Sequence, residues 1–228
     1  MGVSYELPTS ELCRVLPRMI ARAGSKRLRE VGAGTGLLSR MLRDRIPVDI
    51  RATDKYPPDH PDKAFVAVTT EAFEETVLEP GEDVVVAWLH REVERLFLLM
   101  IKKNLPENVW HVGQLAGLEC FSENFVARMG EMGYGYLPVP VKQFSHVDYF
   151  LGDAEVPEGV TRTATAWFSR QPFPDLAEVS KSTDLGVYRA ANLDLIGDYL
   201  DKNYPHTGLD EEELRNDKTF RPVQVGPP

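Results

Sequence analysis

The chain has 228 residues, 26 basic and 35 acidic side chains, a net charge of −9 and 43% hydrophobic residues. That length suits one α/β domain with a modest extension, and the apolar fraction is ordinary for a globular protein. No stretch approaches 18 apolar residues, which argues against a membrane-spanning helix.

A first helix is expected from Thr9 or Ser10 to Ile20, with Leu12, Val15, Leu16 and Met19 on one face. Pro17 inside it implies a kink or a late start. Arg27 to Val31 reads as the first strand, and a second helix follows from about Gly36 to Arg45. Val48 to Asp54 reads as the second strand, ended by Tyr56-Pro57-Pro58. Ala64 to Val68 is the expected third strand. Asp83 to Trp88 is a continuous apolar run, the pattern of a central parallel strand covered on both faces. A helix from Arg91 to Asn104, stopped at Leu105-Pro106, leads to a fifth strand, Val109 to Gly113. Another helix starts at Ser122. Two further strands are expected at Tyr136 to Phe144 and Thr161 to Phe168.

Arg29-Glu30-Val31-Gly32-Ala33-Gly34-Thr35-Gly36 is the most informative segment. Glycine at a strand-to-helix turn permits φ > 0 and lets a ligand approach the backbone. The spacing is G-x-G-x-G, whereas the dinucleotide fingerprint G-x-G-x-x-G would need its third glycine at Leu37. Glu30, two residues before the first glycine, suits a ligand with an ammonium group better than a pyrophosphate. Asp54, at the end of the second strand, is placed to accept hydrogen bonds from ribose hydroxyls; the alternative is a strand-terminal Asp capping a turn.

The pattern Glu-x-Gly-x-Gly-x-Gly resembles motif I of class I S-adenosylmethionine (SAM)-dependent methyltransferases. The element order from about residue 5 to 170 is similar to that of a short, largely uncharacterised subgroup of this family, and the resemblance implies an α/β doubly wound, mostly parallel seven-stranded sheet whose last strand is antiparallel. The resemblance implies that SAM binds at Glu30, Gly32, Ala33, Gly34, Gly36 and Asp54, with S-adenosylhomocysteine as product. It implies that Glu71 takes the adenine amino group while the N–H of Ala72 meets a ring nitrogen; the competing reading of Glu71 is a helix-start acid. It also puts Trp88 at the cofactor crevice, beside Leu89 and His90. The family's Asn/Asp-Pro-Pro-Tyr/Phe motif for base or amide methylation is replaced here by Ala-Trp-Leu-His, which speaks against that chemistry. His90 is the candidate general base, set against a helix-capping or solvent-facing role. His111 reads as a packed strand residue. The histidines and cysteines show no metal-ligand spacing, so no metal is expected.

The function expected is methyl transfer to a small molecule or protein. Two alternatives stand beside it: an inactive SAM-binding module acting through a protein partner, and an NAD-dependent oxidoreductase. Residues 171–228 hold 11 acids against 6 bases and the first 170 hold 24 against 20. Neither count suggests a basic stripe, so naked nucleic acid is not the expected partner. Pro172-Phe173-Pro174 marks the expected boundary between a domain over 1–170 and an acidic extension over 171–228, the segment suited to a protein partner. The N-terminus lacks a basic-then-apolar signal pattern, and Glu6 stands where a myristoylation motif wants Ser or Thr. With only Cys13 and Cys120, far apart, a reducing, cytoplasmic setting is expected and no membrane partner.

Overall fold

A computed structural model describes residues 6–7, 10–87, 89, 91–113, 123–142, 144–145 and 162–174. The elements in chain order are β1 (Glu6–Leu7), α1 (Ser10–Ala23), β2 (Arg27–Val31), α2 (Leu37–Arg43), β3 (Asp49–Asp54), β4 (Val68–Thr70), β5 (Glu82–Ala87), α3 (Glu94–Asn104), β6 (Asn108–Gly113), α4 (Glu123–Glu131), β7 (Gly135–Lys142), β8 (Phe144–Ser145) and β9 (Arg162–Ser169). Short 3₁₀ turns stand at Pro61–Lys63 and Arg91–Val93.

Seven strands form one sheet in the order β4-β3-β2-β5-β6-β9-β7. Neighbours from β4 through β6 are parallel. β9 runs antiparallel to both β6 and β7, so it alone is reversed. β1 and β8 form a separate antiparallel pair.

Alternation along the strands splits the core in two. Leu28, Ile50, Val85 and Trp110 face α1 and α2, with Leu12, Leu16, Met19, Leu38 and Leu42 packed on them. Val31, Val84, Val86, Val109 and Phe168 face α3 and α4, with Phe97, Ile101, Phe125 and Met129. Helices on both faces of a mostly parallel sheet make the fold doubly wound.

Two expectations shift. α1 passes through Pro17 to Ala23, three residues beyond Ile20. Leu12, Val15, Leu16, Met19 and Ile20 are all buried, and this apolar face carries the helix past the proline. It ends where Gly24 takes φ +75° and the Ser25 N–H donates to Ile20 O, a glycine C-terminal stop. The third strand lies at Val68–Thr70 rather than Ala64 to Val68. The Phe65 N–H is drawn instead to Thr35 O in the glycine loop, at 2.8 Å. Just past residue 170, the Phe173 ring packs edge-on against Trp167, 5.1 Å between centroids.

No helix forms between β4 and β5. The crossover covers an unusually polar part of the sheet. Arg29 Nε and Nη2 donate to both Glu82 carboxylate oxygens at 3.1 and 3.0 Å, and Arg51 reaches the same carboxylate. Glu79 bridges Arg27 and Arg51. Glu82 is 1% exposed in its side chain, so these hydrogen bonds supply the pairing that a buried charge requires.

α1 carries Arg14, Arg18 and Arg22 at four-residue spacing, one ridge of the helix. Counts over the first 170 residues average that row away.

Candidate functional site

The Gly32–Gly36 loop leaves the C-terminal end of β2, where the strand order turns from β3 on one side to β5 on the other. Open α/β sheets bind ligands at such a switch point. Gly32, Gly34 and Gly36 take φ values of +66°, +54° and +74°, the left-handed region that side chains strain to adopt. Their surroundings differ. A Cβ built on Gly36 would lie 2.5 Å from Val66 Cγ2 and 3.3 Å from Val68 Cγ2. One built on Gly34 would meet nothing within 4 Å. Gly36 is therefore tied to packing, while Gly34 faces open space.

Backbone hydrogen bonds tie the loop to β3 and to itself. The Ala33 N–H donates to Thr53 O at 2.9 Å and the Gly36 N–H to Ala33 O at 2.8 Å. Asp54 completes the arrangement. Its Oδ2 accepts from the Gly34 N–H at 2.8 Å and its Oδ1 from the Tyr56 N–H at 2.7 Å. Each carboxylate oxygen carries about two acceptor sites, so one on each remains for a ligand donor. Loop and acid thus lie at one place. Tyr56, 79% exposed, stands beside them.

The Glu30 carboxylate is turned toward α2. It is 2% exposed, and its Oε2 accepts from the Ser39 N–H in the first turn of α2 at 2.9 Å. The structure places it behind the loop, fastening α2 to β2. Burial, the largest cause, pushes its pKa up to about 7, against the Ser39 hydrogen bond.

Glu71 and Ala72 follow β4. Both Glu71 carboxylate oxygens accept from Arg29 Nη1, at 2.9 and 3.0 Å. The Glu71 N–H donates to Asp54 O at 2.9 Å, and the Ala72 N–H to Glu75 Oε2 at 3.3 Å. The groups assigned to adenine are thus already engaged within the protein, with one acceptor site left on each Glu71 oxygen. Phe73 comes next. A Cβ on Gly32 would lie 3.5 Å from its ring, and the ring packs edge-on against Phe97.

Trp88 and His90 lie outside the described residues; Leu89 between them is buried. His111 is fully buried in β6, and burial lowers its pKa to about 3, so it is neutral and out of reach of a substrate. His60 Nδ1 accepts from the Asp62 N–H and caps a 3₁₀ turn. The Cys13 thiol is buried and pushed up to about 12, the inert kind rather than a nucleophile. Among the described residues no group of three or more His, Cys, Asp or Glu could hold a metal ion.

Arg29, Glu82, Phe73 and Val66 shape this region and carry no motif. The traceable signal is the alternation of Arg27 and Arg29 in β2, which puts two cations on one side of a buried strand and demands acids opposite.

No family model matches the chain. An uncharacterised protein of Acanthamoeba polyphaga mimivirus, R822, is 26% identical over 235 residues, which is 95% of this chain and 40% of R822. A second from the same virus, R839, is 24% identical over 158 residues, 65% of this chain and 35% of R839. The chain spans less than half the length of these relatives. Among solved structures it is similar to the methyltransferase domain of bacterial CtHen1-C, at 12% identity and a TM-score of 0.49, over 71% of this chain and 98% of that one. The architecture is decided by the sheet itself: five parallel strands with the order turning at β2, then one reversed strand inserted before the edge. This is the class I methyltransferase fold. Among the described residues no helix is long and apolar enough to cross a membrane.

Proposed function

We propose that the chain binds SAM across the Gly32–Gly36 loop and Asp54 and transfers its methyl group to an acceptor, a small molecule or a protein. The observation that carries this reading is the pairing of Asp54 with the Gly34 N–H at the sheet's switch point. It puts a carboxylate with spare acceptor sites beside the Gly34 backbone, where a built Cβ would meet nothing within 4 Å. Two ribose hydroxyls fit those sites, and charge-assisted hydrogen bonds of this kind are the stronger ones. Gly34 and Ala33 lie along the path of the methionine part of the ligand. Glu71, steadied by Arg29, keeps one acceptor site per oxygen for the adenine amino group.

Bound SAM supplies an electrophilic methyl group. What the protein contributes is alignment, which can supply roughly 7–11 kcal/mol of the barrier. The hydrogen-bonded loop and the fixed Asp54 hold one partner in that alignment. Trp88 and His90 follow β5, the strand next to β2, and we assign His90 the proton of a hydroxyl acceptor. The buried free Cys13 suits a reducing cytoplasm.

The test is thermal unfolding with SAM, S-adenosylhomocysteine and NAD in parallel. A ligand at 100 times its Kd adds about 2.7 kcal/mol, which for a chain of this size is roughly 5–10 °C. The expected result is a rise with the SAM pair only, abolished by Asp54→Ala. No rise with SAM, or a rise with NAD alone, overturns the proposal.

A further inference from the structure

The exposed side chains of α3 form one stripe. They are Arg95, Leu99, Lys102 and Lys103, and at 3.6 residues per turn they fall within about 100° of the helix circumference. Three cations thus stand around one leucine, with no acid among them. Leu99 is 51% exposed. The helix dipole favours Lys102 and Lys103 in the last turn but opposes Arg95 in the first.

Apolar surface continues past the end of the helix. Lys103 Nζ donates to Glu74 O, a neutral carbonyl, at 3.3 Å. The Asn104 side chain accepts from the Leu78 N–H and donates to Thr76 O. The crossover therefore runs beside the last turn of α3, and Val77, between the two clasped residues, is 64% exposed. Leu105, directly after α3, is exposed as well. The crossover also brings Glu74 and Glu75, of which Glu75 is turned back to the Ala72 N–H.

The chain leaves the sheet at this corner. After β9 the Arg170 N–H donates to Glu107 O at 3.0 Å and Arg170 Nη1 to Leu105 O at 3.3 Å. Residues 175–228 follow, outside the described residues. In their sequence Leu193, Ile196, Leu200 and Tyr204 recur at helical spacing, and Pro205 ends the pattern. Asp194, Asp198 and Asp201 flank that apolar stripe on one side, with Lys202 the single base of the segment. On a helix these three acids span about 10 Å, and the three cations of α3 span about 12 Å. Residues 175–189 reach about 50 Å when extended, so α3 is within range.

We propose that the outer side of α3 and the neighbouring crossover are the docking surface for residues 190–204 of this same chain, folded as a helix. The apolar stripe of that helix covers Leu99 and Val77, and its aspartates meet Arg95, Lys102 and Lys103. The chain's own segment is the occupant because its charge is opposite in sign to the stripe on α3 and because the chain departs beside the end of that helix. The inference goes beyond the cofactor reading and does not depend on it, because docking is read without SAM.

The test is hydrogen–deuterium exchange of the full chain, read by mass spectrometry over residues 193–204. An isolated helix of this length is marginal in water, so protection there reports docking. The amides are expected to exchange about tenfold more slowly than in an unstructured peptide, at a rate independent of protein concentration. Arg95→Glu/Lys102→Glu/Lys103→Glu changes only exposed side chains; it is expected to fold and to remove most of that protection. Adding Asp194→Lys/Asp198→Lys/Asp201→Lys makes the two faces opposite in sign again and restores it. Arg18→Glu/Lys26→Glu, on the α1 side, leaves it unchanged. If the α3 triple variant fails to fold, Leu99→Asn alone serves and must lower the protection severalfold. Exchange at unstructured rates in the parent overturns the proposal. So does protection that survives the α3 variant, is not restored by the reversed aspartates or falls equally in the α1 variant. Protection that rises with protein concentration also overturns it and assigns the surface to a second copy.

Discussion

Glu30 is the group whose environment makes the sharpest demand on stability. Its folded pKa of about 7 stands above the ordinary carboxylate value because burial penalises the charged form. Between roughly pH 4.5 and 7 the folded state therefore holds a proton that the unfolded state has released. Glu30 favours folding most below the unfolded pKa, and that contribution is lost as pH rises through the folded one. A displacement from 4.5 to about 7 corresponds to roughly 3 kcal/mol in total, of which about 2.5 kcal/mol falls between pH 5 and pH 8.5. Glu30→Gln keeps the shape and an acceptor for the Ser39 N–H but cannot ionise. Urea unfolding of parent and variant across that range isolates Glu30, because every other titrating group cancels in the difference. The variant should gain about 2.5 kcal/mol on the parent as pH rises. SAM affinity should stay within about threefold, since the carboxylate faces α2. A difference flat to within about 0.5 kcal/mol would refute the buried-acid argument; a tenfold loss of SAM affinity at constant stability would return Glu30 to the cofactor.

His111 carries the opposite slope: its pKa is lowered to about 3 by burial, so it favours folding above about pH 6.5 and destabilises as pH falls toward 3. Acid unfolding followed by circular dichroism should show a midpoint that moves down when His111 is replaced by an apolar ring such as Phe, and no movement would sink the idea. Gly36→Ala should cost about 2–3 kcal/mol, because left-handed strain adds to a collision with Val66. Gly34→Ala should cost nearer 1 kcal/mol yet weaken SAM binding more strongly for its small effect on folding; denaturation and calorimetric titration on both variants check the contrast. Arg29→Met leaves the Glu71 and Glu82 carboxylates short of a partner and should cost about 3–5 kcal/mol. Adding Glu71→Gln should recover part of that loss, as a double-mutant cycle in urea would read.

Much of the fold was legible because its signals are local. Arg27 to Val31 is a strand as read, and the run at Asp83 reads as central because a strand covered on both faces has no polar side to show. The Leu105-Pro106 stop holds, with Leu105 itself left-handed at φ 46°. The third strand was misplaced for a reason that lies outside it. Ala64 to Val68 has strand composition, but the Phe65 N–H goes to the glycine loop and Val66 is used to pack on Gly36, so pairing with β3 begins only at Val68. Glu30 shows the same limit at the site. Its position in the motif is plain from sequence; the direction of its carboxylate depends on which side of β2 it occupies and on where α2 starts.

The polar patch under the β4–β5 crossover bears on why the site is rigid. A helix there would have buried apolar side chains against β2, β3 and β5. Here the buried Arg29 and Glu82 occupy that face, with the exposed Arg51 at its margin, and an irregular segment runs across, held at Glu71 by Arg29 and at Thr76 and Leu78 by the side-chain amide of Asn104. An apolar contact tolerates sliding, whereas a forked guanidinium–carboxylate pair fixes both distance and angle. Glu71 is thereby fixed relative to β2, and its N–H fixes Asp54 in turn. One chain of bonds then runs from Glu82 through Arg29, Glu71 and Asp54 to the Gly34 N–H. Disturbing its buried end should loosen the loop that lies at its exposed end. Arg29→Met should therefore weaken SAM binding by more than its distance from the ligand suggests, and hydrogen exchange at Gly34 should quicken in step. Exchange that quickens only around Glu82 would confine Arg29 to local stability.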